Sequence, residues 1–215
     1  LAFINHRSAA DAMLTLCDNS LTKKDATYWL FRNAIGEWRD YDLMAELKKR
    51  GIYDPDKVVA LPIAAPRQEK PKFSVEDVLK LKGNAAKGKT TATRCIMCHE
   101  FNGAGINYGP NLKGWGGGQP ADVIARAIVD PTADISHGFK GSTLQLKDGK
   151  KIQGLAFAKT DPTTITSTGG VTQLIPRKMI KKQSGMNYSL MLSADQMGLS
   201  PQDVADLVAF LKEYK

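Results

Sequence analysis

Residues 94–100 read Arg-Cys-Ile-Met-Cys-His-Glu and hold two of the three cysteines of a 215-residue chain. No other stretch constrains the fold as strongly. On a helical turn, side chains at i and i+3 point to one side, and the residue at i+4 lies beside the first. Cys95, Cys98 and His99 must then converge on one spot, and the rest of the chain has to leave room for whatever two thiols and an imidazole hold there.

A structural zinc site takes four ligands, yet outside this cluster only Cys17, His6 and His137 remain, none in a second paired spacing. A redox dithiol is expected at the strand-to-helix turn of a βαβ unit, whereas this motif follows a helical pattern. Chance occurrence of the pentapeptide is the third alternative. The chemistry that uses all three side chains is haem attachment: the two thiols add across the two vinyl groups of one haem while His99 places Nε2 on the iron. Cys17 falls in an apolar helical pattern and reads as a buried free thiol without chemistry.

The net charge of +8 raises nucleic acid as a partner, but the lysines are spread over most segments, and no basic stretch is interleaved with stacking aromatics. Nucleic-acid binding is therefore not expected. No apolar run is long enough to cross a bilayer, and Leu1–Ile4 is followed at once by Asn5, His6 and Arg7, so neither an anchor nor a complete secretion signal is read here. The first residue is leucine, and the chain is expected to be a processed product or a piece of something longer.

Residues 1–59 read as helices. Ala9, Ala10, Met13, Leu14 and Cys17 recur at helical spacing, as do Tyr28, Leu30, Phe31, Ala34, Ile35 and Trp38, and a third short helix carries Leu43, Met44 and Leu47 and stops before Gly51. Trp29 and Trp38 are expected to pack in this unit rather than to form a binding surface. Residues 60–73 are rich in proline and charge, without periodicity, and read as a semi-rigid linker. Residues 74–215 form the second domain. Ser74 caps a helix closed by Gly83, Asn84 caps another whose Ala85, Gly88 and Ala92 make a stripe of small residues, and Ser200-Pro201 with Asp203 opens a C-terminal helix able to cover that stripe. A helix near 120–130 turns Val123, Ile124, Ala127 and Ile128 inward. Two hairpins, around Asp148-Gly149 and Gly169-Gly170, give a small antiparallel sheet of about four strands inserted at about 140–176. The expected fold is mainly α: a helical domain with an inserted sheet, preceded by a small all-α segment.

The run KGKTTATRCIMCH, then Gly109-Pro110-Asn111-Leu112, then LSPQDVADLVAFL at the end resembles the cytochromes c across residues 74–215. That resemblance implies one covalently attached haem c, with the Pro110 carbonyl accepting the Nδ1 proton of His99, and Leu112 and Trp115 packing on the haem. It also implies that Gly88 marks the crossing of the N- and C-terminal helices, with Phe210 or Tyr214 against it. The order of CxxCH, a VDPTADISHGF segment, DG-containing strands and Ser189-Leu190-Met191 is more narrowly similar to the haem-binding domain of planctomycete and verrucomicrobial multidomain proteins. Members of that family often carry helical repeats upstream and sometimes a sugar-dehydrogenase-like propeller, so residues 1–59 would be the tail of such repeats.

The resemblance places the distal ligand on an extended segment before the last helix. Met191 fits that setting, although Leu192 stands where the narrower family usually has proline; Met186, Met179, Met197, His137 or no protein ligand are the alternatives. Met13 and Met44 read as core, and Met97 sits inside the attachment loop. The implied function is relay of single electrons from a fused or partner dehydrogenase to a downstream acceptor, without catalysis by this chain, in the periplasm or another exported space. An open-site haem protein acting as peroxidase or gas sensor, and an interaction module with structural haem, are the competing readings.

Overall fold

The computed structural model describes residues 1, 3–34, 37–67, 69–101, 103–106, 108–156 and 161–215. The first helices are α1 (Arg7–Leu16), α2 (Lys23–Ala34) and α3 (Leu43–Lys49). Ala9, Ala10, Met13 and Leu14 of α1 meet Leu30 and Phe31 of α2 and Leu43 and Leu47 of α3 in one core, where each large aliphatic side chain contributes about 1.5–3 kcal/mol. Cys17 joins this core, its Sγ 3.6 Å from Thr27 Oγ1. Trp38, expected on the face of α2, instead lies beyond that helix in the turn before a short 3₁₀ segment, Arg39–Tyr41. It is nonetheless wholly buried, because its indole N–H finds the Ile4 carbonyl at 2.9 Å. Ile35 lies outside the described residues.

The second set of helices is α4 (Val75–Leu79), α5 (Ala85–Thr91), α6 (Ala121–Val129) and α7 (Pro201–Glu213). Ser74 with Asp77 and Ser200 with Asp203 form the capping boxes at α4 and α7, and Asn84 caps α5. Gly88 brings α5 onto α7: a Cβ there would fall inside contact distance of the Asp206 carbonyl and 2.8 Å from Phe210 Cβ. Gly83 does not close α4, which ends on Lys80; it sits against the backbone of α7 at Ala205. Asp206, buried between these helices, accepts from the Asn84 N–H at 2.7 Å and so anchors the start of α5. Val123 of α6 is exposed, whereas Ile124, Ala125, Ile128 and Val129 face the core.

A two-stranded hairpin, β1 (Glu100–Phe101) and β2 (Ala104–Gly105), follows the CxxCH motif. The larger sheet contains β3 (Ser142–Leu146), β4 (Lys151–Ala156), β5 (Thr163–Ser167), β6 (Val171–Ile175) and β7 (Ile180–Gly185), antiparallel in the order β6-β5-β4-β3-β7. Both expected hairpins are present, with Gly149, Gly169 and Gly170 at positive φ in their turns. Phe157 and Ala158, expected to extend the second strand, lie outside the described residues. Among the described residues the sheet has five strands and reaches residue 185, not four ending near 176. The missed strand, β7, carries Lys181 and Lys182, and lysine on an edge strand masks the apolar alternation while it guards the open edge. Among the described residues seven α-helices stand beside this sheet, so the chain mixes α and β, and the expectation of a mainly α fold is not confirmed.

Leu144, Leu146, Ile152, Ile165 and Ile175 fill the sheet's own core together with Ala60. The proline-rich stretch is laid along this sheet: Gln153 N–H donates to the Ile63 carbonyl at 2.8 Å, and the Gln153 side chain accepts from the Ala65 N–H at 2.9 Å.

Candidate functional site

Helix α5 runs directly into a 3₁₀ segment, Ala92–Met97, which tightens the backbone around the motif. The N–H groups of Cys98 and His99 both donate to the Cys95 carbonyl, at 3.0 and 2.8 Å. Both motif cysteines are free and half-buried, while Ile96 and Met97 between them are exposed.

His99 is 6% exposed, and its Nδ1 lies 2.8 Å from the Pro110 carbonyl. A carbonyl only accepts, so Nδ1 carries the proton and the Nε2 lone pair is left for a ligand. Burial lowers the His99 pKa below its usual 6.5 and so favours the neutral ring, while the Pro110 hydrogen bond opposes that shift in part. Gly109 packs flat against the imidazole, since a Cβ there would stand 2.5 Å from Cε1 and 2.8 Å from Nδ1. Its N–H donates to the Cys98 carbonyl at 2.6 Å, so the loop that cradles the ring is pinned to the motif itself.

A cavity of about 330 Å³ opens from this ring. Cys98, His99, Gly109, Pro110, Leu112 and Trp115 line it from the motif and the loop after it, Ala127, Ile128, Pro131, Ile135 and Phe139 from α6 and the segment that follows, Leu155 from β4, and Ser189, Leu190 and Met191 from the segment before α7. The sequence-predicted residues Cys98, His99, Pro110, Leu112, Trp115 and Met191 are thus brought to one cavity, with Cys95 one turn from Cys98. The alternatives to Met191 do not line it. Met186 is buried with Ala65, Tyr108 and Leu190, Met179 packs on the core of the sheet, Met197 packs on the helical core, and His137 is exposed. His6 caps α1.

Ala127, Pro131, Phe139 and Leu155 were not identified from sequence as lining residues. Their only signal was apolar character, shared with any core. Tyr108 was also missed, though an aromatic residue directly before Gly109-Pro110 was visible in the chain.

Burial pushes the Cys95 thiol up to about 11, with Cys98 adding to the shift and Arg94 opposing it, and burial raises Cys98 as well. A dithiol oxidoreductase needs the opposite, a lowered attacking thiol. Among the described residues no group of three or more His, Cys, Asp and Glu could hold a metal ion, so the zinc alternative has no ligand set there. The residues fit a c-type haem instead: two thiols one turn apart, an imidazole with Nδ1 already committed to a carbonyl, a mostly apolar cavity for the macrocycle, and a thioether residue among those lining it.

Residues 85–145 match the family model for cytochrome c. The matched stretch opens with α5, takes in Cys95, Cys98, His99, Pro110, Leu112 and Trp115, and stops inside β3, so Met191 and α7 lie beyond it. The match supports a c-type cytochrome domain in this chain, a family whose haem is covalently bound and whose members are electron carriers. No curated protein matches the chain.

Proposed function

We propose that the cytochrome c domain of this chain holds one haem c through thioether bonds from Cys95 and Cys98, with His99 Nε2 and Met191 Sδ as axial ligands, and that it relays single electrons. The observation that carries this reading is the shared cavity: His99, with Nδ1 fixed by Pro110, and Met191 line the same apolar space from segments far apart in sequence. The bound group would supply the one-electron couple of its iron. The protein's share is position and environment. Pro110 holds the His99 tautomer and makes the imidazole a stronger donor. Met191 is held by its own N–H donating to Ser189 Oγ at 3.0 Å, and Ser189 N–H donates in turn to Thr132 Oγ1 at 3.1 Å, which ties the distal segment to the end of α6. Apolar walls keep water out and disfavour net charge, so a thioether ligand and low exposure both favour the reduced form.

Denaturing mass spectrometry after expression with a haem-ligation system should show a single haem added, and the ferric spectrum should be low spin with a methionine-to-iron charge-transfer band. Met191→Ala should abolish that band; a variant with an unchanged low-spin spectrum rejects Met191 as the ligand. A vacant sixth position in the wild type would favour the open-site peroxidase or sensor reading instead.

The same reading assigns the chain to an exported compartment, the periplasm in a bacterium, because covalent haem attachment is completed outside the cytoplasmic membrane. No helix among the described residues is long and apolar enough to cross a membrane. We assign the electrons to a dehydrogenase module on this or another chain. Residues 1–59 are proposed as a separate helical unit ending a set of repeats, as in the planctomycete-type proteins, a division supported by its own core cluster. Reduction by candidate dehydrogenases in stopped flow tests the partner.

A further inference from the structure

The loop that cradles His99 is gripped from outside the helical domain. The turn between β5 and β6 presses on it, since a Cβ added at Gly170 would stand 2.7 Å from Ile106 Cγ2, and the Ile106 N–H donates to the Ile96 carbonyl in the attachment turn at 2.9 Å. Next along the loop, Tyr108 is 5% exposed and packs with Ala65, Met186 and Leu190, and with Leu155 of β4. Its N–H donates to the Cys98 carbonyl at 3.1 Å. The Tyr108 hydroxyl and the Thr168 hydroxyl of the β5–β6 turn are both buried, neither has another partner at hydrogen-bond geometry, and the two lie close enough to interact with each other. A buried hydroxyl left unpaired is costly, which makes each of these two hydroxyls the natural partner of the other.

We propose that Tyr108 is a positioning residue for His99, locked to Thr168 by the contact of their two buried hydroxyls, so that the inserted sheet sets the redox potential by bracing the proximal loop. The inference rests on the haem ligation argued above. The route is short. Tyr108 directly precedes Gly109, whose backbone lies on the imidazole, and Pro110, whose carbonyl holds Nδ1. Loosening the brace lengthens the Nδ1–H···O bond, which makes the imidazole a weaker donor to ferric iron and raises the potential.

The test uses the haem-loaded full chain as wild type, Tyr108→Phe, Thr168→Val, the double variant and Thr168→Ser, each checked for attached haem by mass and titrated by spectroelectrochemistry. The two single variants should raise the midpoint potential, the double should shift it no further than Tyr108→Phe alone, and Thr168→Ser should keep the wild-type value. A merely structural role would lower the melting temperature and leave the potential in place, which overturns the inference, as do shifts that simply add in the double variant. A wild type without attached haem strikes at the proposed function. A haem-bearing Tyr108→Phe protein with an unmoved potential strikes at the brace alone, and if that variant does not fold, the Thr168→Val and Thr168→Ser pair decides in the same way.

Discussion

Gly109→Ala tests the cradle around His99 most directly. A methyl at that position would sit 2.5 Å from His99 Cε1, 2.8 Å from Nδ1 and 2.9 Å from Nε2, against an ordinary contact of about 3.4–4 Å. One of the two must retreat by about 1 Å. The backbone of Gly109 is pinned to the Cys98 carbonyl at 2.6 Å, so the ring moves, and it moves away from the Pro110 carbonyl that it meets at 2.8 Å. Overpacking of this kind costs about 1–3 kcal/mol, and loss of the Nδ1 hydrogen bond adds about 1 kcal/mol. The sum of about 2–4 kcal/mol corresponds to a fall in Tm of roughly 4–16 °C for a chain of this size. Gly118→Ala is the control, because nothing lies within 4 Å of its added methyl. Far-UV circular dichroism melts of the haem-bearing proteins give the Tm, and the ferric spectrum reports a displaced axial imidazole. If Gly109→Ala melts with Gly118→Ala and keeps the wild-type spectrum, the ring does not depend on that glycine, and the account of the proximal loop fails.

At the helix crossing, Gly88→Ala drives a methyl against the Asp206 carbonyl and Phe210 Cβ; backbone yields less readily than a flexible side chain, so we expect a loss of at least about 1–3 kcal/mol in urea titrations, and an unchanged midpoint would refute the close contact. At the start of α7, the Ser200 hydroxyl and then the Ser200 N–H, which donate to Asp203 at 2.6 and 2.9 Å, hold its carboxyl below the usual 3.8. A depressed carboxylate contributes stability that is present above pH 3.8 and is lost as the pH falls through its lower folded-state value. Asp203→Asn should therefore be less stable than wild type at pH 7, with the gap closing in strong acid; a gap independent of pH would place the effect elsewhere.

Much of the site could be read from the chain because its signals are local. Cys95, Cys98 and His99 converge through hydrogen bonds to a carbonyl three and four residues back, and such a turn needs no distant partner. The capping boxes at Ser74 and Ser200 and the glycine turns at 149 and 169–170 are equally local. Patterns lost their meaning where burial is decided by distant contacts. Val123 belongs to an apolar helix yet faces outward, Trp38 is buried although its helix has ended, and β7 hides its strand pattern under edge lysines.

From its residues alone, then, this chain determined a turn that gathers two thiols and an imidazole, and the caps and turns that begin and end its elements, because those depend on neighbours within a few positions. Tertiary structure decided what that turn faces. It carried Met191 into the cavity of His99 while burying Met186 under Tyr108, and it set the β5–β6 turn against the proximal loop. The choice among four methionines of like chemistry is made by packing over long sequence separations, which no short-range pattern encodes.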